Sequence, residues 1–317
     1  MAGLRLAQRL RKAADVHVFE KSRGFGGRMS TRRAGAYQFD HGAQYFTAHG
    51  DAFQAYLTPY IQQGTVAQWK PRIVELGAQG ATPVNWRAPR YVAVPAMNSL
   101  CKAMAESLSV ERGVRAARLE RDAGQWHIHF ESGEISSNYD WVLSTAPSVQ
   151  TVELMPELVK STADGMSGVT MLGCFSLMLG FDAPFEVPWD AAIVTDSSLA
   201  WISMDSTKAS RPAAVSVLCQ AENNWSEQNM ETGLEQVEAR LCEAFSQVTG
   251  VDARQADHIA LHRWRYAKAT SPARASHLLA SDLRLGAAGD WCGGGRVEAA
   301  FDSADALASA VLAHISA

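Results

Sequence analysis

Apolar residues at Leu4, Leu6, Ala7 and Leu10 recur at helical spacing, and residues 15–20 (Asp-Val-His-Val-Phe-Glu) then alternate apolar and polar. The pattern predicts an opening helix that runs into a short strand, the second half of a βαβ unit whose first strand is absent. A loop rich in Gly and Arg over 21–33 precedes extended stretches at 36–40 and 42–46 and a helix over 51–63 with Asp51 at its start. Strands are expected at 65–69, 72–76 and 90–94, followed by a helix over 96–107. Strands at 114–121, 125–131 and 141–145 are divided by turn residues, and Pro147 stops the last. The middle of the chain is strand-rich, with runs at 169–181, 191–195, 199–204 and 213–220. An amphipathic helix over 231–245, strands at 259–267 and 283–288, and a closing helix over 296–315 complete the pattern. There is no internal repeat or low-complexity tract, so crossings between domains must be short loops.

Composition narrows the picture. The 317 residues are 47% apolar and 20% charged with a formal charge of -4, which excludes a disordered chain and a basic nucleic-acid-coating protein. Two domains are expected from the length. The run 169–181 is shorter than the ~18 residues that span a bilayer, so no membrane partner is expected. The five cysteines are scattered without a CxxC pair, which suggests neither a disulfide framework nor a metal site. Arg residues interrupt the apolar positions near the start, unlike a secretory signal, and a soluble cytoplasmic protein is expected.

The chemistry is concentrated in the glycines. A dinucleotide fold needs glycine at its first strand-to-helix turn, where backbone meets a pyrophosphate, and a carboxylate at the end of the second strand for a ribose. Gly3 and Glu20 stand 17 residues apart with a helix and an alternating strand between them, the spacing of the last glycine of such a turn and its carboxylate. The earlier glycines and their strand would precede Met1, which is therefore expected to be an internal methionine. The continuation from Glu20 through Lys21, Arg23, Gly26, Gly27, Arg28 and Met29 lets the main chain approach a cofactor and supplies a cation for a diphosphate; the bland alternative is a solvated basic loop. Toward the other end, the apolar strand leads into Gly289-Asp290-Trp291 and then Arg296-Val297-Glu298 before the last helix. An Asp after a strand can hold a ribityl hydroxyl, and a helix N-terminus stabilises negative charge on a reduced ring.

Taken together, Phe19–Gly24, Gly26–Ser30, Gly42–Ala48, His262–Ala267 and Gly289–Cys292 with Gly295–Glu298 resemble the bacterial renalase-like flavoproteins of the flavin amine oxidase superfamily. The resemblance implies an α/β fold: an FAD-binding Rossmann-like domain of the glutathione-reductase and p-hydroxybenzoate-hydroxylase type, with a discontinuous substrate domain of mixed β-sheet plus helix. It places the FAD-binding domain in residues 1–46, 97–150 and 267–317 and the substrate domain in 47–96 and 151–266. The implied activity is oxidation of the 2- and 6-dihydro isomers of NAD(P) to β-NAD(P)+, with O2 reduced to H2O2. Carried over by position, Glu20 holds the adenosine ribose and Arg28 the diphosphate. Gly42, Ala43, Gln44, Tyr45 and Phe46 lie along the flavin, and the backbone of Val114 meets the adenine. Thr145 marks the second crossing, and Gly289, Asp290, Arg296, Val297 and Glu298 form the closing loop. The family has Gly where this chain has Ala299 and Ala304, so a methyl group stands where backbone would approach a ring.

Hydride transfer needs positioning more than a strong acid or base, and no convincing nucleophile is evident. His262, Trp264 and Tyr266 are the candidates for the substrate side. Strand alternation puts them on one face and Arg263 and Arg265 on the other; a structural strand histidine is the competing reading of His262. An amine oxidase is the nearest rival, with Lys268 as its only lysine candidate, and a protein that has lost its flavin is the non-enzymatic one.

Overall fold

The computed structural model describes residues 1–78, 80–86, 88–162 and 168–315. It divides into two compact units, residues 1–27, 101–171 and 268–317 in the first and 28–100 and 172–267 in the second.

In the first unit, the opening helix Ala2–Leu10 turns Leu6 and Leu10 onto the last helix, Val297–Ile315, where they meet Ala300, Ala304, Leu307 and Val311. Small residues on the longer helix let the two approach. Arg5 fixes the pairing by a two-pronged bond to Asp305 at 2.6 and 3.0 Å. His17–Glu20 pairs in parallel with Ser109–Arg112, and Val142–Ser144 pairs in parallel with Leu285–Ala287, which Leu278–Ala280 flanks antiparallel. Between them in sequence lies an antiparallel meander of Ala116–Asp122, Gln125–Phe130 and Ile135–Tyr139. Trp126 from the meander packs with Val142, Leu285 and Trp291, and its indole donates to the carbonyl of Leu283 at 3.0 Å.

The second unit is built on a seven-stranded mixed sheet in the order His258–Ser271, Thr170–Phe181, Val215–Ala221, Leu199–Met204, Ala191–Val194, Ile73–Gly77 and Gly80–Pro83. Alternation gives its two faces different tasks. Phe175, Leu177, Leu179, Val217, Cys219 and Ile202 pack with Val237, Leu241 and Phe245 of the helix Leu234–Thr249. The intervening residues Ser176, Ser203, Ser216 and Gln220 face the other way and hold residues 38–44. Ser176 donates to the carbonyl of His41 at 2.8 Å, Gln220 to that of Gly42 at 2.7 Å, and Ser203 to the Gln44 side chain at 2.6 Å. The Gln38 N–H donates to Ser216 at 3.2 Å. This is why residues 28–46 group with the second unit, although the sequence reading joins them to the nucleotide-binding segments.

Several elements differ from expectation. The strand expected over 114–121 forms as Ala116–Asp122, and a further strand, Ser109–Arg112, which the sequence reading did not mark, ends before Gly113, whose φ of +79° breaks the extended chain. Val114 lies in the connection rather than in a strand. The polar strands Gly80–Pro83 and Ile135–Tyr139, and the short helices Ser148–Leu154 and Pro156–Ser161, are not evident in the apolar pattern, because they are held by neighbours more than by their own periodicity. Among the described residues no helix is long and apolar enough to cross a membrane.

Candidate active site

Two groups of expected nucleotide-binding residues come together within the first unit. At the N-terminus of the opening helix, a side-chain carbon on Gly3 would stand 2.8 Å from the Thr145 hydroxyl, so only glycine lets the helix end meet that crossing. The Trp291 indole donates to the carbonyl of Ala146 at 3.1 Å, and the Gly289 N–H donates to Ser303 at 3.0 Å. Gly3, Thr145 and the Gly289–Asp290 turn are thereby tied into one neighbourhood. The turn closes on itself, with the N–H groups of Gly293 and Gly295 both donating to the Asp290 carbonyl at 2.9 Å. Asp290 and Glu298 are buried, Val297 is half-buried and Arg296 is exposed.

The second group surrounds the end of the His17–Glu20 strand. The Glu20 carboxylate accepts the Ser22 N–H at 2.7 Å, and its carbonyl accepts the Val114 N–H at 3.2 Å. A cavity of about 400 Å³ opens there, lined by Lys21, Ser22, Gly113, Val114, Arg115, Glu131 and Ser132. Lys21 leans to Gln150 at 3.3 Å, and Arg23 contributes its carbonyl to Arg112 at 3.0 Å. Gly26 and Gly27 take φ of +112° and +54°, which only glycine adopts freely.

The remaining expected residues lie in the second unit. Gly42 cannot carry a side chain: an added carbon would be 1.9 Å from the Arg28 carbonyl, which also accepts the Ala43 N–H at 2.7 Å. Arg28 itself donates to the carbonyl of Ala267 at 3.0 Å, and Met29 is buried beside this turn. The chain then runs through Gln44 and Tyr45 to Phe46, whose backbone bridges Tyr91 with bonds of 2.9 and 2.8 Å.

Against Gly42 lies a ring cluster. His41 stacks on Trp264 at 5.2 Å between centroids and meets His262 edge-on at 4.9 Å, and the Trp264 indole donates to the His41 carbonyl at 2.7 Å. Burial, then the charges of His262 and Arg32, push His41 down to about 4, and burial lowers His262 in the same direction. Both imidazoles are neutral at pH 7. Arg263 and Arg265 point away, to the Met230 carbonyl at 2.7 Å and to Glu231 at 2.5 Å. Tyr266, two residues beyond Trp264, is not among the rings stacked there.

Sequence reading missed a buried ionic group behind this segment. Lys208 reaches Asp205 at 2.6 Å and Asp40 at 3.3 Å, and Arg211 reaches Asp40 at 2.7 Å; all four side chains are within 1% of full burial. Burial alone would raise Asp40, but Lys208 and Arg211 outweigh it and hold the carboxyl below its usual range, whereas burial and the repulsion of Asp40 raise Asp205. The Asp205-x-x-Lys208 spacing was the available signal. Also missed was Arg90, 5% exposed, with its guanidinium carbon 5.3 Å from the Tyr45 ring and 4.4 Å from the Trp86 ring. Lys268, the lysine that the amine oxidase reading left open, is exposed.

Residues 1–59 match the profile of an NAD(P)-binding Rossmann-like domain, and residues 74–312, most of the chain, match that of the flavin containing amine oxidoreductases. The chain belongs to that family. Its fold is similar to that of a protein of Exiguobacterium sp. 255-15 assigned as a protoporphyrinogen oxidase, with a TM-score of 0.77 at 11% identity over 98% of this chain and 95% of that one. An oxidoreductase from Methanosarcina mazei gives 0.73 at 13% identity over 98% of each chain. A redesigned putrescine oxidase gives 0.72 at 10% identity over 99% and 97%. The fold is therefore a Rossmann-like nucleotide-binding domain joined to the mixed-sheet domain of the amine oxidoreductases, and the cofactor is FAD. The residues present fit that cofactor: next to the end of the His17–Glu20 strand, a cavity lined by Lys21, Gly113 and Val114 has room for a nucleoside. Of the two alanines that stand where the family has glycine, Ala304 is fully buried in the helix–helix core and Ala299 is packed against Gly293. The Ala304 methyl packs within its own unit.

Proposed function

We propose that the chain is a renalase-like oxidase that converts the 2- and 6-dihydro isomers of NAD(P) to β-NAD(P)+, with O2 as the electron acceptor and H2O2 as its product. The observation that carries this reading is the charge balance of the second unit. Its fully buried carboxylates, Asp40 and Asp205, are answered by Lys208 and Arg211, so neither is left to receive a substrate ammonium. Beside Gly42 stand neutral imidazoles and an indole, surfaces suited to an uncharged dihydropyridine ring.

FAD, when bound, accepts the hydride equivalent and passes electrons to O2. The chain's part is positioning. Trp264 offers a face for stacking, and His262 offers a neutral ring nitrogen to the carboxamide. Trp264 is itself immobilised by its bond to the His41 carbonyl. Within the first unit, Glu20 and Val114 would hold the adenosine end and Asp290 the ribityl chain. All five cysteines are free thiols, in keeping with a reducing cytoplasm.

An amine oxidase reading has its own support in the family and in the rings of Tyr45, Trp69 and Trp201, 5.7 to 6.2 Å apart, which could flank an alkylamine. Anaerobic mixing separates the two: flavin absorbance should bleach with dihydro-NAD isomers and remain with a panel of mono- and diamines. Bleaching by amines alone defeats the proposal.

We infer in addition that the first unit accommodates one more parallel strand. Among the described residues, His17–Glu20 and Val142–Ser144 are each paired on one side only. An apolar strand ending in a glycine turn could pair with either edge.

A further inference from the structure

We propose that Arg90, held between Tyr45 and Trp86, anchors a binding site for an oxyanion carried on a planar ring. Arg90 opens the strand Arg90–Ala93 and lies opposite Trp69 in the antiparallel pair with Val66–Trp69. Its side chain is 95% buried, yet Nε and Nη2 have no hydrogen-bond partner among the described residues. The guanidinium carbon lies over the rings of Tyr45 and Trp86, which draw its charge. They leave its in-plane N–H groups unanswered, and a buried donor without an acceptor is costly.

The geometry of those two donors selects the ligand. Nε and Nη2 form the side-on fork of a guanidinium, whose parallel N–H bonds match two oxygens of one carboxylate or phosphate. Tyr45 has a second ring neighbour with an unanswered donor: the Trp201 indole nitrogen is also buried without a partner among the described residues, and its ring lies 5.7 Å from that of Tyr45. Three unanswered donors call for an acceptor-rich group. The buried acids of the same unit do not supply it, since Asp40 and Asp205 are engaged by Lys208 and Arg211. Trp86, 45% exposed, offers the ring face on which a planar ligand can lie.

The site stands independently of the proposed activity; that reading enters only in suggesting that the anion belongs to a pyridine nucleotide. The test is calorimetric titration of the flavin-loaded protein with benzoate, phenyl phosphate and the neutral analogue benzamide. At least one anion should bind more tightly than benzamide, and the two anionic arms report whether carboxylate or phosphate is preferred. Arg90→Met, which keeps an unbranched stem between the rings, should weaken the preferred anion about tenfold or more and leave benzamide unchanged. Trp86→Ala, at an exposed position that the core does not need, should weaken the ring anions but not inorganic phosphate. The proposal is overturned if neither anion is preferred over benzamide, or if Arg90→Met leaves anion affinity within about twofold. Should Arg90-dependent anion binding persist while dihydro-NAD isomers fail to bleach the flavin, the oxyanion site stands and the activity proposal fails.

Discussion

His41 joins the fold to the chemistry. Its backbone carbonyl accepts both Ser176 and Trp264, and its imidazole is held neutral by burial among rings. The unfolded chain binds this proton near pH 6.5 and the folded chain only near 4. Between those values the unfolded state carries more protons, so stability falls as the pH drops from about 6.5 to 4, by roughly 3 kcal/mol for this group. His262 adds in the same direction. Urea midpoints at pH 7.5 and 5 should therefore separate for the native protein and lie closer together for His41→Asn. An unchanged separation in the variant would show that the imidazole is not the group responsible. Gly42, next in sequence, is fixed by a different constraint: the Arg28 carbonyl fills the space a side chain would need.

At the scale of elements, the mixed sheet works because each strand sends alternate residues to two faces, apolar to the helix Leu234–Thr249 and polar to residues 38–44. The ionic group of Asp40, Asp205, Lys208 and Arg211 pins that segment from behind, where the Asp40 N–H also donates to Asp205 at 2.6 Å. Lys208→Met should cost about 3–5 kcal/mol in urea unfolding, since it leaves Asp205 without its cation in a dry interior. Lys208→Met combined with Asp205→Leu should recover part of that loss. If the single variant unfolds like the native protein, the group does not hold the segment. None of this was legible in the apolar pattern, because Asp40 is far in sequence from Asp205, Lys208 and Arg211, and the four charges neutralise one another only once the sheet has formed.

For the whole molecule, the alternation of helix and strand, the glycine turn with Glu20, and the closing turn at Gly289 were enough to place the chain among flavin-binding α/β proteins. Among the described residues, the parallel strands of the first unit nevertheless form separate groups with unpaired edges. A version extended upstream by an apolar strand ending in Gly-x-Gly should retain more FAD per chain and melt several degrees higher, read by flavin absorbance against protein and by calorimetry. Equal FAD content and melting temperature in both versions would sink the added-strand inference.

The sequence by itself determined the class of fold and the kind of cofactor, since spacing along the chain sets which backbone can approach a diphosphate and which carboxylate meets a ribose. It also showed which face of the last long strand carries His262 and Trp264, because strand alternation is local geometry. Tertiary structure decided which side chains share an environment. It brought His41 to Trp264, buried Lys208 between two acids, left Arg90 between two rings and turned Ala304 into the core. Those outcomes depend on burial and on partners distant in sequence, and charge or hydrogen-bonding demand acquires its cost only when water has been excluded.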